Sequence, residues 1–465
     1  MLYLRFGSHG MTRGGWPTEQ LKHASRRKAG KTMRERSHGR RPGFFTVRFH
    51  FMALTALCCS WGPVQAEEYK YPYHDPYVAT VTAAILNSDD LTPKLKRQVV
   101  HVPGLAGRDQ LPALEGRGEL KVTLYRQNRP APLLFILSGI GTNPYFGLAT
   151  YFAGLFHAEG SHIVILPSPM TWNFALAASR SGAPGYVPDD ARDLYEAMQK
   201  TLEILKARHD VKITRINFLG ASLGALEGAH LSVIDAEARK IGIDTYLLIN
   251  PPLDLSYALE KVDEWSALQE KLGRNKSKGL LVKALGIVES FSKDKRDDPA
   301  VFARFTKAFA GFTREEIQFL IAEDLEILLP ELVYVTQVIH DQGVLKAPKD
   351  QVRKRLDEAK SFTFKDYSEK IGVPLWRVQA AAPDADLDSF TKRGSLASIL
   401  DQIRGNARVH IMHNADDFLA DRKSMEELKE TLGDQVKLYP YGGHLGNLWY
   451  PENREYVLRI FRTPP

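Results

Sequence analysis

Residues 216–230, INFLGASLGALEGAH, place a serine at the centre of Gly220-Ala221-Ser222-Leu223-Gly224. An apolar run fit for a buried strand leads in, and an alanine-rich run fit for a helix leads out. A side chain at so tight a strand-to-helix turn is pushed clear of the sheet's carboxyl edge. Glycine at 220 and 224 takes away the side chains that would collide there. The turn also sets the serine at a helix N-terminus, where free N–H groups and the helix dipole stabilise negative charge. A hydroxyl so placed suits attack on an acyl carbon. Near neutral pH it needs a base, and the base needs an orienting partner.

Both partners are available at the ends of other strand-like runs. His444 follows KLYPYGG, where Gly442 and Gly443 let the backbone turn and present the ring at the sheet's edge. Asp417 follows RVHIMHNAD. Asp416 beside it and Asp254, beyond TYLLINPP, are alternative acids. His230, along the helix behind the serine, and His413, before the acid turn, read as structural. An oxyanion needs two N–H donors. Leu223, directly after the serine, supplies one, and Ile140 in the loop Ser138-Gly139-Ile140-Gly141 supplies the other. Trp172, Asn173 and Phe174, in the segment 170–186, are expected from their position to line the mouth of the pocket.

The elements that must hold these groups alternate as parallel βαβ units do, from about residue 118. ELKVTLYRQ (119–127) reads as an exposed or edge strand, PLLFILSG (132–139) and HIVILPSP (162–169) as buried strands. Helices are expected at 146–156, at 189–209 with acidic residues at its start, and at 223–239. A strand follows at 245–252. The alternation then gives way to helices over 256–403, and REEIQFLIAEDLEILLPELVYVTQVIHD (314–341) reads as one run. Strands resume at 407–417 and 435–444, with helices at 424–433 and 453–461. Five parts result: a leader (1–66), an arm (67–117) that cannot be read into elements, a sheet portion (118–255), a helical insertion (256–403) and a second sheet portion (404–465).

Composition narrows the partners. The formal charge is +7, yet residues 1–50 hold twelve Lys or Arg against two Glu, which leaves the rest of the chain at −3. That body offers no footprint for nucleic acid. No apolar stretch has the length of a membrane span. FMALTALCCSWGPVQA, behind the basic segment, has the form of a signal peptide cleaved after Ala66, with Met33 or Met52 as possible starts. The other reading is a basic tail before a buried helix. Cleavage implies a periplasmic or secreted protein and removes Cys58 and Cys59, the only cysteines. The mature chain then has no disulfide, thiol nucleophile or cysteine-ligated zinc. No His and acidic cluster has metal-ligand spacing and no glycine-rich dinucleotide fingerprint appears, so no cofactor is expected.

From about residue 118 the chain resembles the α/β-hydrolase superfamily. GASLG is similar to its nucleophile elbow, SGIG to its oxyanion loop, HNADD to its acid turn and GGHLG to its histidine loop. Ser138 stands where histidine is usual, and Asn414 where glycine is usual. The resemblance implies an α/β fold with a mostly parallel sheet and the chain order Ser222, Asp417, His444. It also implies that 256–403 is a helical cap over the site. The expected function is that of an exported serine hydrolase acting on an ester or related acyl bond of a small or lipid-like substrate. The alternative is a non-catalytic binding or envelope assembly protein on the same scaffold. Phe, Leu and Tyr of the cap suit an apolar substrate, although forming the cap's own core explains them as well. Esterase, lipase, thioesterase and peptidase all remain open.

Overall fold

Five-residue apolar runs bounded by glycine and proline form the middle of a twisted sheet, because only a strand covered on both faces can hide every side chain. The computed structural model describes residues 69–83, 95–141, 147–291 and 299–462. The basic segment, the expected cleavage site after Ala66 and both cysteines lie outside the described residues. The strands are β1 (Gln98–Val102), β2 (Leu120–Tyr125), β3 (Ala131–Leu137), β4 (His162–Leu166), β5 (Ile213–Ala221), β6 (Thr245–Ile249), β7 (Val409–Asn414) and β8 (Val436–Tyr439). They lie in the order β1-β2-β4-β3-β5-β6-β7-β8. β2 runs antiparallel to both neighbours, and every pairing from β4 to β8 is parallel. β4 and β6 are buried along their whole length.

One expectation fails at this edge. β2 pairs on both sides, and the edge strand is β1, QVVHV, contributed by the arm. β1 covers the side of β2 that the alternating pattern left open, so β2 is buried at all but one position.

The helices follow the chain. α1 (Pro76–Thr82) belongs to the arm, and α2 (Leu148–Ala158), α3 (Trp172–Ala177), α4 (Val187–His209) and α5 (Leu223–Ala238) to the first sheet portion. Between β6 and β7 come α6 (Leu255–Ser266), α7 (Leu268–Leu272), α8 (Arg274–Phe291), α9 (Pro299–Phe309), α10 (Arg314–Glu326) and α11 (Leu329–His340). They are followed by α12 (Val352–Ala359), α13 (Phe364–Tyr367), α14 (Val373–Gln379), α15 (Leu387–Gly394) and α16 (Leu400–Ile403). α17 (Arg422–Leu432) and α18 (Pro451–Arg462) close the chain. α4, α5 and α17 cover one face of the sheet around Leu194, Met198, Phe218 and Leu428. α2 and α18 cover the other, where Phe156 meets Phe461 edge-on at 5.1 Å. The run 314–341 is two helices, not one: Pro330 sits in the first turn of α11, the place in a helix that tolerates its missing N–H.

α10 and α11 carry acids that the fold holds in an unfavourable state. Burial, with Asp263 and Glu323 nearby, pushes the Glu326 carboxyl up to about 8, and burial pushes Glu331 up to about 7. The folded chain therefore keeps protons that the unfolded chain has released above its ordinary carboxyl range, and stability drains as pH rises from about 5 to 8. The melting temperature is expected to fall across that window. In the double variant Glu326→Gln, Glu331→Gln, thermal melts should show a shallower fall, whereas an unchanged slope would refute the assignment.

Candidate active site

β5 ends at Ala221 and α5 begins at Leu223, so Ser222 alone makes the turn, with φ 55°. That conformation is strained for a residue with a Cβ and is held by a backbone bond from Ser222 N–H to the Ile249 carbonyl, 2.9 Å. The flanking glycines are obligatory. A Cβ on Gly220 would lie 2.2 Å from the Gly224 carbonyl oxygen, and one on Gly224 would lie 2.3 Å from that of Leu137.

His444 Nε2 lies 2.9 Å from Ser222 Oγ, and His444 Nδ1 lies 2.9 Å from Asp417 Oδ2. Three segments separated by up to 222 positions thus meet at one rim of the sheet. All three side chains are nearly sealed from solvent. Asp417 accepts two further bonds, from Asn250 Nδ2 at 2.7 Å to Oδ2 and from Leu419 N–H at 3.0 Å to Oδ1. Burial works to raise its pKa, but His444, His413 and the Leu419 N–H outweigh burial and hold it below the ordinary carboxylate range. It stays ionised, and its partners fix the tautomer in which Nδ1–H donates to Asp417 and Nε2 is free to accept from the serine.

The other candidate acids and histidines have different work. Asp416 accepts from the Gly442 and Gly443 N–H groups at 3.2 and 2.8 Å and so shapes the histidine loop. Asp254 caps α6 through the Tyr257 N–H, 3.1 Å. His413 is fully buried, which lowers its pKa, and its Nε2 lies 3.1 Å from the Pro251 carbonyl. His230 Nε2 lies 3.3 Å from the Gly394 carbonyl. Asn414, the departure from glycine in the acid turn, donates to the Gly443 carbonyl at 2.8 Å and exchanges bonds with Asn447. The amide ties the acid turn to the histidine loop.

Two contributors were not foreseen. Asn250, at the end of β6 with φ 48°, anchors Asp417, and its only sequence signal is its place at a strand end. The other is the arm. Thr80 of α1 accepts the His444 backbone N–H at 2.8 Å, Tyr71 and Thr82 bond the Gly446 carbonyl at 3.1 and 3.0 Å, and Tyr77 stacks on Phe418 at 5.0 Å. The histidine loop is therefore braced from outside the sheet. Thr80→Val removes the acceptor for that N–H, and kcat on an ester should fall by roughly 10- to 100-fold through misplacement of the ring. Steady-state kinetics with an unchanged kcat would show that the brace is dispensable.

A cavity opens beside the serine. Ile140 and Leu223, the expected oxyanion donors, both line it with Ser222, and the loop carrying Gly139 passes so close that a Cβ there would lie 2.7 Å from Ser222 Cβ. Its apolar wall includes Leu255, Leu259, Val262, Leu325, Phe364 and Phe390, and of these Leu259, Val262, Leu325 and Phe364 also pack in the insertion's own core. Trp172, Asn173 and Phe174 are not among its lining. Asn173 bridges the Lys121 N–H and Glu119 carbonyl at the start of β2, and Phe174 is fully buried in the sheet's core. Trp172 packs against the insertion's core. Their short helix faces the sheet edge, and Met170 and Gly185 from the same segment reach the cavity instead. Among the described residues, no group of His, Cys, Asp and Glu could hold a metal ion.

No family model and no curated protein matches the chain. In three dimensions it is similar to the esterase Pf2001 of Pyrococcus furiosus, at 12% identity over 80% of this chain and 91% of that one, with a TM-score of 0.37. It is similar to brefeldin A esterase, described as a bacterial homologue of human hormone sensitive lipase, at 13% identity over 84% and 86%, TM-score 0.39. It is also similar to the thioesterase domain of the curacin biosynthetic pathway, at 11% identity over 79% and 100%, TM-score 0.33. An eight-stranded sheet antiparallel only at β2, a strained serine between β5 and α5, and helices inserted between β6 and β7 give this chain the α/β-hydrolase fold.

Proposed function

We propose that this chain is a serine hydrolase that cleaves an ester or related acyl bond through an acyl-enzyme on Ser222. The observation that carries this reading is the single imidazole of His444 reaching Ser222 and Asp417 at 2.9 Å each. Ser222 Oγ attacks the acyl carbon as its proton passes to His444 Nε2, and Asp417 stabilises the imidazolium. The carbonyl oxygen, now an anion, takes the Ile140 and Leu223 N–H groups. Each such donor contributes about 3 to 4 kcal/mol to the transition state. Collapse breaks the bond to the leaving oxygen, which takes the proton back from His444. Water then repeats the sequence and frees the acid.

The test is turnover of p-nitrophenyl esters of graded acyl length by the purified chain. A burst of p-nitrophenol equal to the enzyme concentration identifies the acyl-enzyme. Absence of both burst and turnover across the series would count against the reading.

Export is part of the proposal, supported by the leader's basic, apolar and small-residue order. Among the described residues no helix is long and apolar enough to cross a membrane. N-terminal sequencing of the protein made in a bacterial host should begin at Glu67. An intact leader on the recovered protein would contradict export.

A further inference from the structure

The cavity beside Ser222 is lined mostly by apolar side chains, with Ser368, Thr391 and two acids, Glu227 and Asp190, as its other polar members. Glu227, five positions past Ser222 on α5, is 0% exposed, and neither of its carboxyl oxygens has a hydrogen-bond partner. Asp190, in the first turn of α4, is 2% exposed and accepts the Gly185 N–H at 2.5 Å. Both line the cavity that holds the nucleophile. An ordinary buried acid is matched by a cation or several donors, because leaving it unmatched costs about 1 to 3 kcal/mol or more.

The neighbours supply no match for Glu227. Asp193, next along α4, already accepts the Arg180 N–H at 2.8 Å and lies 3.4 Å from the Arg180 guanidinium. Arg192 pairs with Asp189. His230, one turn further along α5, is pushed down to about 4 by burial and is therefore neutral at physiological pH. The charged neighbours that act on Glu227 are Asp190 and Asp193, both negative. Burial, together with this like charge, raises the pKa of both carboxyl groups, and a bound cation would offset both effects. The Thr391 hydroxyl at the same wall is spent on the Leu387 and Asp388 carbonyls, so it offers an acceptor.

Resting on the reading of Ser222 as nucleophile, we infer that Glu227 and Asp190 form a subsite for a primary ammonium carried at the end of the substrate's acyl chain. An ammonium has three donors and no acceptor, which suits the two free oxygens of Glu227 and the open side of Asp190. Five helical residues place Glu227 about 7 Å from Ser222 along the axis of α5. The apolar lining between them, with Leu255 and Phe390, suits the methylenes of a medium-length chain. The substrate class is thus an ω-amino acyl ester or a related aminoacyl compound, and the hydrophobic wall and the acid wall act on two ends of one group.

Wild-type kcat/KM for p-nitrophenyl 6-aminohexanoate is compared with that for p-nitrophenyl heptanoate, which has a methyl group in place of the ammonium. The amino ester should be preferred by about tenfold or more, the worth of one charge-assisted hydrogen bond, and the ratio should collapse in Glu227→Gln. Hydrolysis of both esters with a ratio of one or less would overturn the subsite and leave the nucleophile standing. Should neither ester be hydrolysed, the nucleophile reading fails and binding decides the subsite. Calorimetry of n-hexylammonium against 1-hexanol on Ser222→Ala protein should favour the ammonium by about tenfold, and equal affinities would overturn the proposal. The wild-type ester ratio and the Ser222→Ala titration stand even if Glu227→Gln fails to fold.

Discussion

Ser222→Ala should lower kcat for a p-nitrophenyl ester by about 10⁶-fold while leaving the melting temperature nearly unchanged. The fold has little stake in the hydroxyl. Its hydrogen-bond partner is the ring of His444, and the turn is held by backbone bonds and by Gly220 and Gly224, none of which the substitution touches. On the proposed mechanism catalysis depends on the hydroxyl wholly, because it is the Ser222 oxygen that lies 2.9 Å from His444 Nε2. Residual turnover within a few-fold of wild type would place the chemistry elsewhere.

The second large effect is expected at Asp417. Both of its oxygens accept: Oδ2 from His444 Nδ1–H and Asn250 Nδ2, and Oδ1 from the Leu419 N–H. In Asp417→Asn the amide must aim its NH₂ at one of these donors. Facing His444 it forces the imidazole into the other tautomer, with the proton on Nε2, where it can no longer accept from the serine. Facing Leu419 it leaves two buried donors in collision. A fall in kcat of about 10⁴-fold is expected, with the fold retained. Asp416→Asn should leave kcat far less affected, since Asp416 serves only the Gly442 and Gly443 N–H groups. If Asp416→Asn proved the more damaging of the two, the assignment of the acid would be wrong.

The parts of this site that could be read from the chain share one property: they are local signals. Ser222 is marked by glycines that a tight turn demands, His444 by Gly442 and Gly443, and Asp417 by its place at the end of an apolar strand. β4 and β6 are legible because complete burial leaves almost every position apolar, and β3 because all but one of its positions are buried. What escaped is non-local. β1 is five residues long, and its partner is what makes it a strand. The arm's hold on His444 joins positions 364 apart, and no periodicity carries that information. Trp172, Asn173 and Phe174 illustrate the same limit, since their place after β4 is local but the direction α3 faces is set by packing against β2 and the core. The acid wall of the cavity was hidden for another reason. Asp190 satisfies the ordinary preference for acids in a helix's first turn, and Glu227 lies in a helix where glutamate is unremarkable until its burial is known.

Covalent labelling tests the nucleophile most directly. Wild-type protein is treated with an alkyl fluorophosphonate, digested, and the modified peptide is sequenced by mass spectrometry. A single adduct on Ser222, absent in His444→Ala because the hydroxyl is then not activated, is the result expected. Unlabelled wild-type protein, or an adduct on any other residue, would contradict the account.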